Sequence, residues 1–110
     1  MFVIRILAAA ALCAAAPASA VRAQAETDAL CTSMAVLATS VMQNRQYGVP
    51  RDVMLALAPE ESDETPVFRA LIAEAYAVPL AETMAGRERT IVQFSSAIED
   101  SCIATLRSMT

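Results

Sequence analysis

The 110-residue chain is short enough to form a single domain, and 56% of its residues are apolar against 18% charged, which argues against intrinsic disorder. It contains no His, so imidazole is absent as a general acid, a general base or a metal ligand. The formal net charge of −4 argues against nucleic acid as a partner. With only two Gly, a turn-rich all-β fold is disfavoured.

Residues 1–23 have the organisation of a secretory signal peptide. Arg5 supplies a short positive segment, and residues 6–16 form an uncharged apolar run. A small-x-small pattern of the kind that signal peptidase accepts ends at Ala20, and a second one ends at Ala23. Because the apolar run is shorter than the roughly 20 residues of a membrane span, we expect cleavage at one of these sites and no stable membrane insertion afterwards.

Cleavage would leave one domain, residues 24–110, with an even number of cysteines. Cys13 would be lost with the leader, while Cys31 and Cys102 would remain, and the net charge would become −6 from six Arg and twelve acids. In an oxidising compartment, two surviving cysteines are most simply joined in a disulfide. We therefore predict a Cys31–Cys102 bond and a periplasmic or secreted location. Two free buried thiols and a lipoprotein modified at Cys13 are the alternatives.

Apolar residues recur at helical spacing from Asp28 to Tyr47, which predicts the first helix of this domain. Residues 21–27 would form an irregular segment before the helix, and Thr27 or Asp28 would cap the helix. Gly48 suits the left-handed position just past the helix end. The predicted apolar stripe consists of Leu30, Met34, Leu37 and Val41, with Cys31, Ala38 and Met42 beside it.

Two further helices are predicted in the middle of the chain. A short one covers residues 50–58, and an amphipathic one runs from Thr65 to Ala77. The acidic segment between them, residues 60–64, is interpreted as a solvated loop. It lacks the alternating acids and the central Gly of a calcium-binding loop.

The last helix is predicted over residues 87–106, with Gly86 as the break before it and residues 80–85 either as a further turn or as the front of this helix. Cys31 lies one turn into the first helix and Cys102 near the end of the last. An antiparallel arrangement of these two helices would bring the cysteines together. The predicted fold is therefore all-α, a small bundle of three main helices and one or two short ones, held by one disulfide.

No constellation of residues indicates catalysis, a cofactor or a metal site. Cys31 and Cys102 lie 71 positions apart, whereas catalytic dithiols lie close in sequence. The Ser residues have no His or Lys to activate them, the Met residues form no copper(I) cluster, and no Gly-rich phosphate loop is present. We expect a protein that is not an enzyme; a hydrolase that uses two carboxylates is kept as an alternative.

Residues 45–50, with the sequence Arg-Gln-Tyr-Gly-Val-Pro, form the most distinctive stretch of the chain. The first interpretation is a helix end with a cap and a turn, in which Tyr47 packs over the edge of the core. The alternative is a small exposed interaction patch made of Arg45, Gln46 and Tyr47, since Arg and Tyr are residue types that anchor protein interfaces. Exposure of the three side chains decides between the two.

Several of these features occur together: Cys31 early in the first helix, residues 45–50 at its end, Ala75–Tyr76 closing the middle helix, and Phe94 followed by Cys102. In this combination the chain resembles short exported proteobacterial helical proteins with one Cys pair and no assigned activity. The resemblance implies an exported helical domain and carries over no catalytic residue. The expected role is a non-enzymatic module that binds another protein.

A second similarity is to the periplasmic acid-stress chaperones of the HdeA type, which are also short, exported, helical and held by one disulfide. The chain departs from them in having no Lys, and it shares no motif with them beyond the Cys pair. The similarity implies, as an alternative function, a chaperone activated by acid. Protonation of the twelve carboxylates would make the net charge positive and release apolar faces for client proteins.

Overall fold

A computed structural model describes residues 17–60 and 62–109. Within these residues the chain forms four α-helices and no strand: α1 (Ala18–Gln46), α2 (Arg51–Ala56), α3 (Thr65–Ala77) and α4 (Met84–Ser108). The long helices α1 and α4 pack against each other, α3 packs on α1, and the short α2 lies against α1 and α3. The predicted all-α bundle of three main helices and a short one is confirmed.

The predicted signal peptide lies mostly outside the described residues. Only residues 17–23 of it are described: Pro17 is the N-cap of α1, and residues 18–23 form its exposed start. In the part of the chain that the structure describes, no helix combines the length and the hydropathy that a membrane span requires. Leader cleavage after Ala20 or Ala23 stays a prediction.

Helix α1 begins earlier than predicted. Residues 21–27, predicted as an irregular segment before the helix, are helical, and Pro17 occupies the N-cap position. Thr27 lies inside the helix, where its hydroxyl donates to the carbonyl four residues earlier at 3.0 Å, so the predicted cap at Thr27 or Asp28 is wrong. The physical reason is composition: Gly and Pro are absent between Pro17 and Gly48, and Ala, Arg, Gln and Glu all favour helix.

Helix α1 ends in a hydrogen-bonded cap built around Gly48. The φ angle of Gly48 is +87°, in the left-handed region that glycine adopts without steric cost. Its N–H donates to Arg45 O at 3.2 Å, and the Val49 N–H donates to Asn44 O at 2.9 Å. These two bonds form a Schellman motif, and the predicted role of Gly48 is confirmed.

The two middle helices lie where the pattern placed them. Helix α3 covers the predicted range, and the Thr65 hydroxyl ties its first turn to the preceding loop by donating to Pro59 O at 2.6 Å. Helix α2 is shorter than the predicted 50–58, and Pro50 stands at its N-cap rather than inside it. Pro50 suits that position because a helix start requires no N–H donor from it.

Helix α4 begins before Gly86, which was predicted as a break. Its first residue is Met84, and the Thr83 side chain caps it by accepting a hydrogen bond from the Gly86 N–H at 3.0 Å. The first turn of a helix has free N–H groups that a threonine oxygen satisfies. Gly86 is therefore part of the cap, and the prediction of a break at this position is wrong, whereas residues 84–85 do form the front of the last helix, as the alternative predicts.

The main core lies where the C-terminal half of α1 meets α2, α3 and the first half of α4. Its fully buried side chains are apolar and come from all four helices: Val41, Met42, Met54, Ile72, Ala75 and Ile91. Phe68, Tyr76 and Phe94 pack around this cluster. The bundle is therefore closed at the end of α1 that carries the Gly48 cap.

The buried face of α1 is rotated from the predicted stripe. Of Leu30, Met34, Leu37 and Val41, only Val41 is buried, whereas Cys31, Ala38 and Met42, which were predicted beside this stripe, are all buried. The residues that α1 does bury are mostly small, namely Cys31, Ala35, Ala38, Val41, Met42 and Gln46. Cys31 on this face is bonded to Cys102 of α4, and small side chains allow another helix to approach closely. The larger Leu30, Met34 and Leu37 are left beside this face.

Candidate functional site

The predicted pairing of Cys31 with Cys102 is present in the structure. The two residues are disulfide-bonded, with their Cα atoms 5.5 Å apart. Cys31 is fully buried on α1, and Cys102 is partly buried on α4. At the other end of the pair, Tyr47 just past α1 contacts Glu88 at the start of α4. The two long helices therefore run antiparallel, as predicted.

Gln46 is buried, although the patch interpretation places it on the surface. Its side chain is 1% exposed. The amide Nε2 donates to Pro79 O at 3.1 Å, and Oε1 accepts from the Ala81 N–H at 2.9 Å. Both ends of the amide thus hold the α3–α4 connection against the end of α1, and this role requires burial.

Arg45 is also engaged inside the molecule, whereas Tyr47 is half exposed. The Arg45 Nε donates to Val78 O at 3.1 Å, and its guanidinium lies 5.2 Å from the centroid of the Tyr76 ring, within the range of a cation–π contact. The Tyr47 hydroxyl donates to a Glu88 carboxylate oxygen at 2.5 Å. These contacts fit the cap-and-turn interpretation, and Tyr47 as a partner contact stays a prediction.

Both tyrosines ionise less readily than a free tyrosine. The hydrogen bond to the Glu88 carboxylate raises the pKa of Tyr47 above its ordinary value of 10.0, and burial raises the pKa of Tyr76 above the same value. The Tyr76 hydroxyl also donates to Val49 O at 2.5 Å. In each case the folded chain favours the neutral phenol over the phenolate.

A near-UV absorbance titration is expected to show both tyrosines ionising above pH 10 in the native protein and near pH 10 in denaturant. Because the folded pKa values are raised, this stabilisation is complete below pH 10 and is lost as the pH rises through the folded pKa values. The chain has two Tyr and no Trp, so the signal belongs to these residues. Glu88→Gln should lower the midpoint of Tyr47 alone; identical native and unfolded titrations would contradict the assignment.

An apolar depression opens beside the disulfide, where α1, α3 and α4 meet. It has a volume of about 380 Å³, and its apolar lining includes Leu30, Met34, Val67, Ile98, Cys102 and Leu106. A second depression of about 420 Å³ shares Leu30, Met34 and Val67 and continues along Leu37, Leu57 and Phe68. Because they share three residues, we treat the two depressions as one surface and call it the apolar groove.

The side chains that sequence reasoning assigned to the core of α1 therefore line the groove instead. Leu30 is 53% exposed, and Met34 and Leu37 are partly buried. On α3, Val67 lines both halves of the groove and is 43% exposed. The signal that identifies this face is the row of small residues beside it, Cys31, Ala35 and Ala38, which fixes where α4 packs.

The charged side chains that line the apolar groove are all acidic. Glu74 lines the half next to the disulfide, and Asp63 and Glu64 line the other half. The remaining polar lining consists of hydroxyls from Ser33, Ser101 and Thr105. A lining of this kind binds apolar surface and offers carboxylates at its edge.

Within residues 17–60 and 62–109, no cluster of three or more Cys, Asp or Glu is placed to hold a metal ion. Every buried side-chain nitrogen or oxygen described there has a hydrogen-bond partner. The groove and the disulfide beside it are therefore the candidate functional features of the described chain. No family model, no curated protein and no solved structure matches this chain.

Proposed function

We propose that this chain is an exported, non-enzymatic module that binds another protein through the apolar groove. The observation that carries the proposal is the exposure of large apolar side chains around one concave surface. Leu30, Leu57 and Val67 are 53%, 65% and 43% exposed, and all three line the groove. Contiguous apolar surface of this kind marks interaction sites on soluble domains, because covering it gains about 25 cal/mol per Å².

The dimensions of the groove suit one face of a helix from the partner. Leu30 to Leu37 on α1 span about 10 Å, and Ile98 to Leu106 on α4 span about 12 Å, at 1.5 Å per residue. A helix that presents apolar side chains at positions i, i+3, i+4 and i+7 covers about the same length. The proposed occupant is therefore an amphipathic helix of another protein, laid beside the disulfide.

Export is supported by the leader pattern and by the disulfide. Disulfides persist in oxidising compartments and are rare in the cytosol. The cysteine that would be left unpaired, Cys13, belongs to the segment that cleavage would remove. We therefore place the folded module in the periplasm or outside the cell.

A photo-crosslinking residue at Leu57 tests the proposal in the native host. Leu57 lies in the groove and is 65% exposed, and Val92 on α4 is 63% exposed but lines neither half of the groove. We expect a discrete adduct with one protein from Leu57 and none from Val92. Adding Val67→Glu should abolish the Leu57 adduct, whereas Val92→Glu should leave it unchanged.

The crosslinked protein, once identified by mass spectrometry, should bind the purified module and lose binding to the Val67→Glu variant. Val67 is partly exposed, so a charge there is compatible with folding, and an unchanged melting temperature verifies this. Equal adducts from Leu57 and Val92, or an adduct that survives Val67→Glu, would contradict the proposed binding surface.

A further inference from the structure

We propose that the partner helix is cationic, with Lys or Arg flanking its apolar face. This inference rests on the proposed function, because it assigns the chemistry of the occupant of the same groove. The observation behind it is the charge of the lining: Asp63, Glu64 and Glu74 are the charged residues of the groove, and all three are acids.

The three acids of the groove lining are exposed to solvent, so they are accessible to charged side chains of a bound helix. Asp63 and Glu64 precede the first turn of α3, and Glu74 lies about two turns further along the same side of that helix as Val67. On α1, Glu26 lies one turn before Leu30 on the same face of the helix. The carboxylates that line the groove thus come from α3 and the segment just before it, and Glu26 lies beyond the lining on α1.

The arginines nearest in sequence to the groove residues are not part of the groove lining. Arg69 stands two residues from both Val67 and Leu71, about 200° around α3, and therefore on the opposite face. Arg107 follows the groove residue Leu106 and lines a neighbouring depression that shares Leu106 with the groove and also contains residues from the start of α1, including Ala20 and Thr27. The charged side chains that line the groove itself are therefore the carboxylates of Asp63, Glu64 and Glu74.

This charge distribution favours a cationic helix over a second copy of the chain. Two copies joined groove to groove would bring the acidic edges together, and the domain after cleavage carries six Arg against twelve acids. Like charges placed opposite one another oppose association. An anionic membrane surface is disfavoured for the same reason.

Three synthetic peptides of about 14 residues, four helical turns, test the inference on the full oxidised domain. The first has a Leu stripe flanked by Lys, the second has the same stripe flanked by Glu, and the third is a scramble of the first that keeps its charge and has no stripe. At low salt we expect the first peptide to bind about tenfold more tightly than the second, since three exposed ion pairs are involved. High salt should reduce this preference by screening, and the scramble should bind most weakly.

A matched pair of charge variants locates the effect. Asp63→Asn, Glu64→Gln and Glu74→Gln together should remove the preference for the Lys peptide. Neutralising three acids that line neither half of the groove, Asp52, Glu82 and Asp100, should leave the preference in place. Similar melting temperatures for the two triple variants would show that both are folded.

The outcomes separate the partner's charge from the binding surface. Equal affinity for the two stripe peptides, with both lost in Val67→Glu, overturns the cationic assignment and keeps the groove as the binding surface. Binding of the scramble as tightly as the first peptide, or binding of no peptide, also overturns it, and the crosslinking at Leu57 then decides the proposed function separately. A dimer in sedimentation that Val67→Glu dissociates would assign the groove to a second copy instead.

Discussion

Replacing both Cys31 and Cys102 with Ser is expected to lower the free energy of unfolding by about 4 kcal/mol. The bond joins residues 71 positions apart, and closing a loop of that size removes about this much free energy from the unfolded chain by its entropy. A domain of about 90 residues has a total stability of roughly 5–13 kcal/mol. The melting temperature, followed by circular dichroism, should therefore fall by about 15–30 °C.

Reduction of the unmodified protein provides the matched control. It should lower the melting temperature as much as the double Ser variant does, and it should leave that variant unchanged. An unchanged melting temperature in the variant would mean that the bond contributes nothing to stability.

Gln46→Ala is expected to destabilise the fold by about 2 kcal/mol. The substitution removes the acceptor for the Ala81 N–H and the donor for Pro79 O, and a polar group left without a partner in a partly buried place costs about 1–3 kcal/mol. It also leaves a void in the interior, because Gln46 is fully buried. Denaturant unfolding monitored by circular dichroism measures the change.

Gln43 offers the matched control, since it lies on the exposed face of the same helix. Gln43→Ala should change the free energy of unfolding by no more than about 0.5 kcal/mol. Gln46→Glu should also be destabilising, because it places a carboxylate against the Pro79 carbonyl oxygen. Equal effects of the two Ala substitutions would show that the α3–α4 connection does not depend on Gln46.

The helices were predictable because their signals lie in neighbouring residues, and the disulfide was predictable because it follows from the number of cysteines. Helical spacing, the Thr65–Pro66 start and the Gly48 end depend on a few neighbouring residues each, and the structure has helices α2 and α3 close to where these signals place them. The pairing of Cys31 with Cys102 follows from the count of cysteines that would remain after the leader. The pattern misplaces the start of α1 because Thr27 is a residue type that caps helices, whereas the helix-forming residues before it extend the helix to Ala18.

The groove was not predictable from the same signals, because it depends on how the helices pack. Leu30, Met34 and Leu37 form the more hydrophobic stripe of α1, so the pattern alone assigns them to the core. In the structure, α1 buries instead the small residues Ala35 and Ala38, on the face whose Cys31 is bonded to Cys102 of α4. Which of two adjacent apolar faces is buried is decided by the shape of the partner helix, and a single sequence pattern contains little of that information.

The role of Gln46 depends on contacts with residues more than thirty positions away. Pro79 and Ala81 complete its hydrogen bonds, and their approach to the end of α1 is a consequence of the whole bundle. Next to Arg45 and Tyr47 in sequence, a glutamine has the appearance of a surface residue. Its burial follows from the tertiary fold alone.

The proposed function requires that the chain is exported, that its signal peptide is removed and that the disulfide forms. One intact-mass measurement on the exported protein from the native host tests all three. We expect an N-terminus at Val21 or Gln24 and a mass lower by two hydrogens than that of the chain with free Cys31 and Cys102. A protein that retains Met1, or one whose mass equals that of the dithiol form, would contradict this description of the molecule.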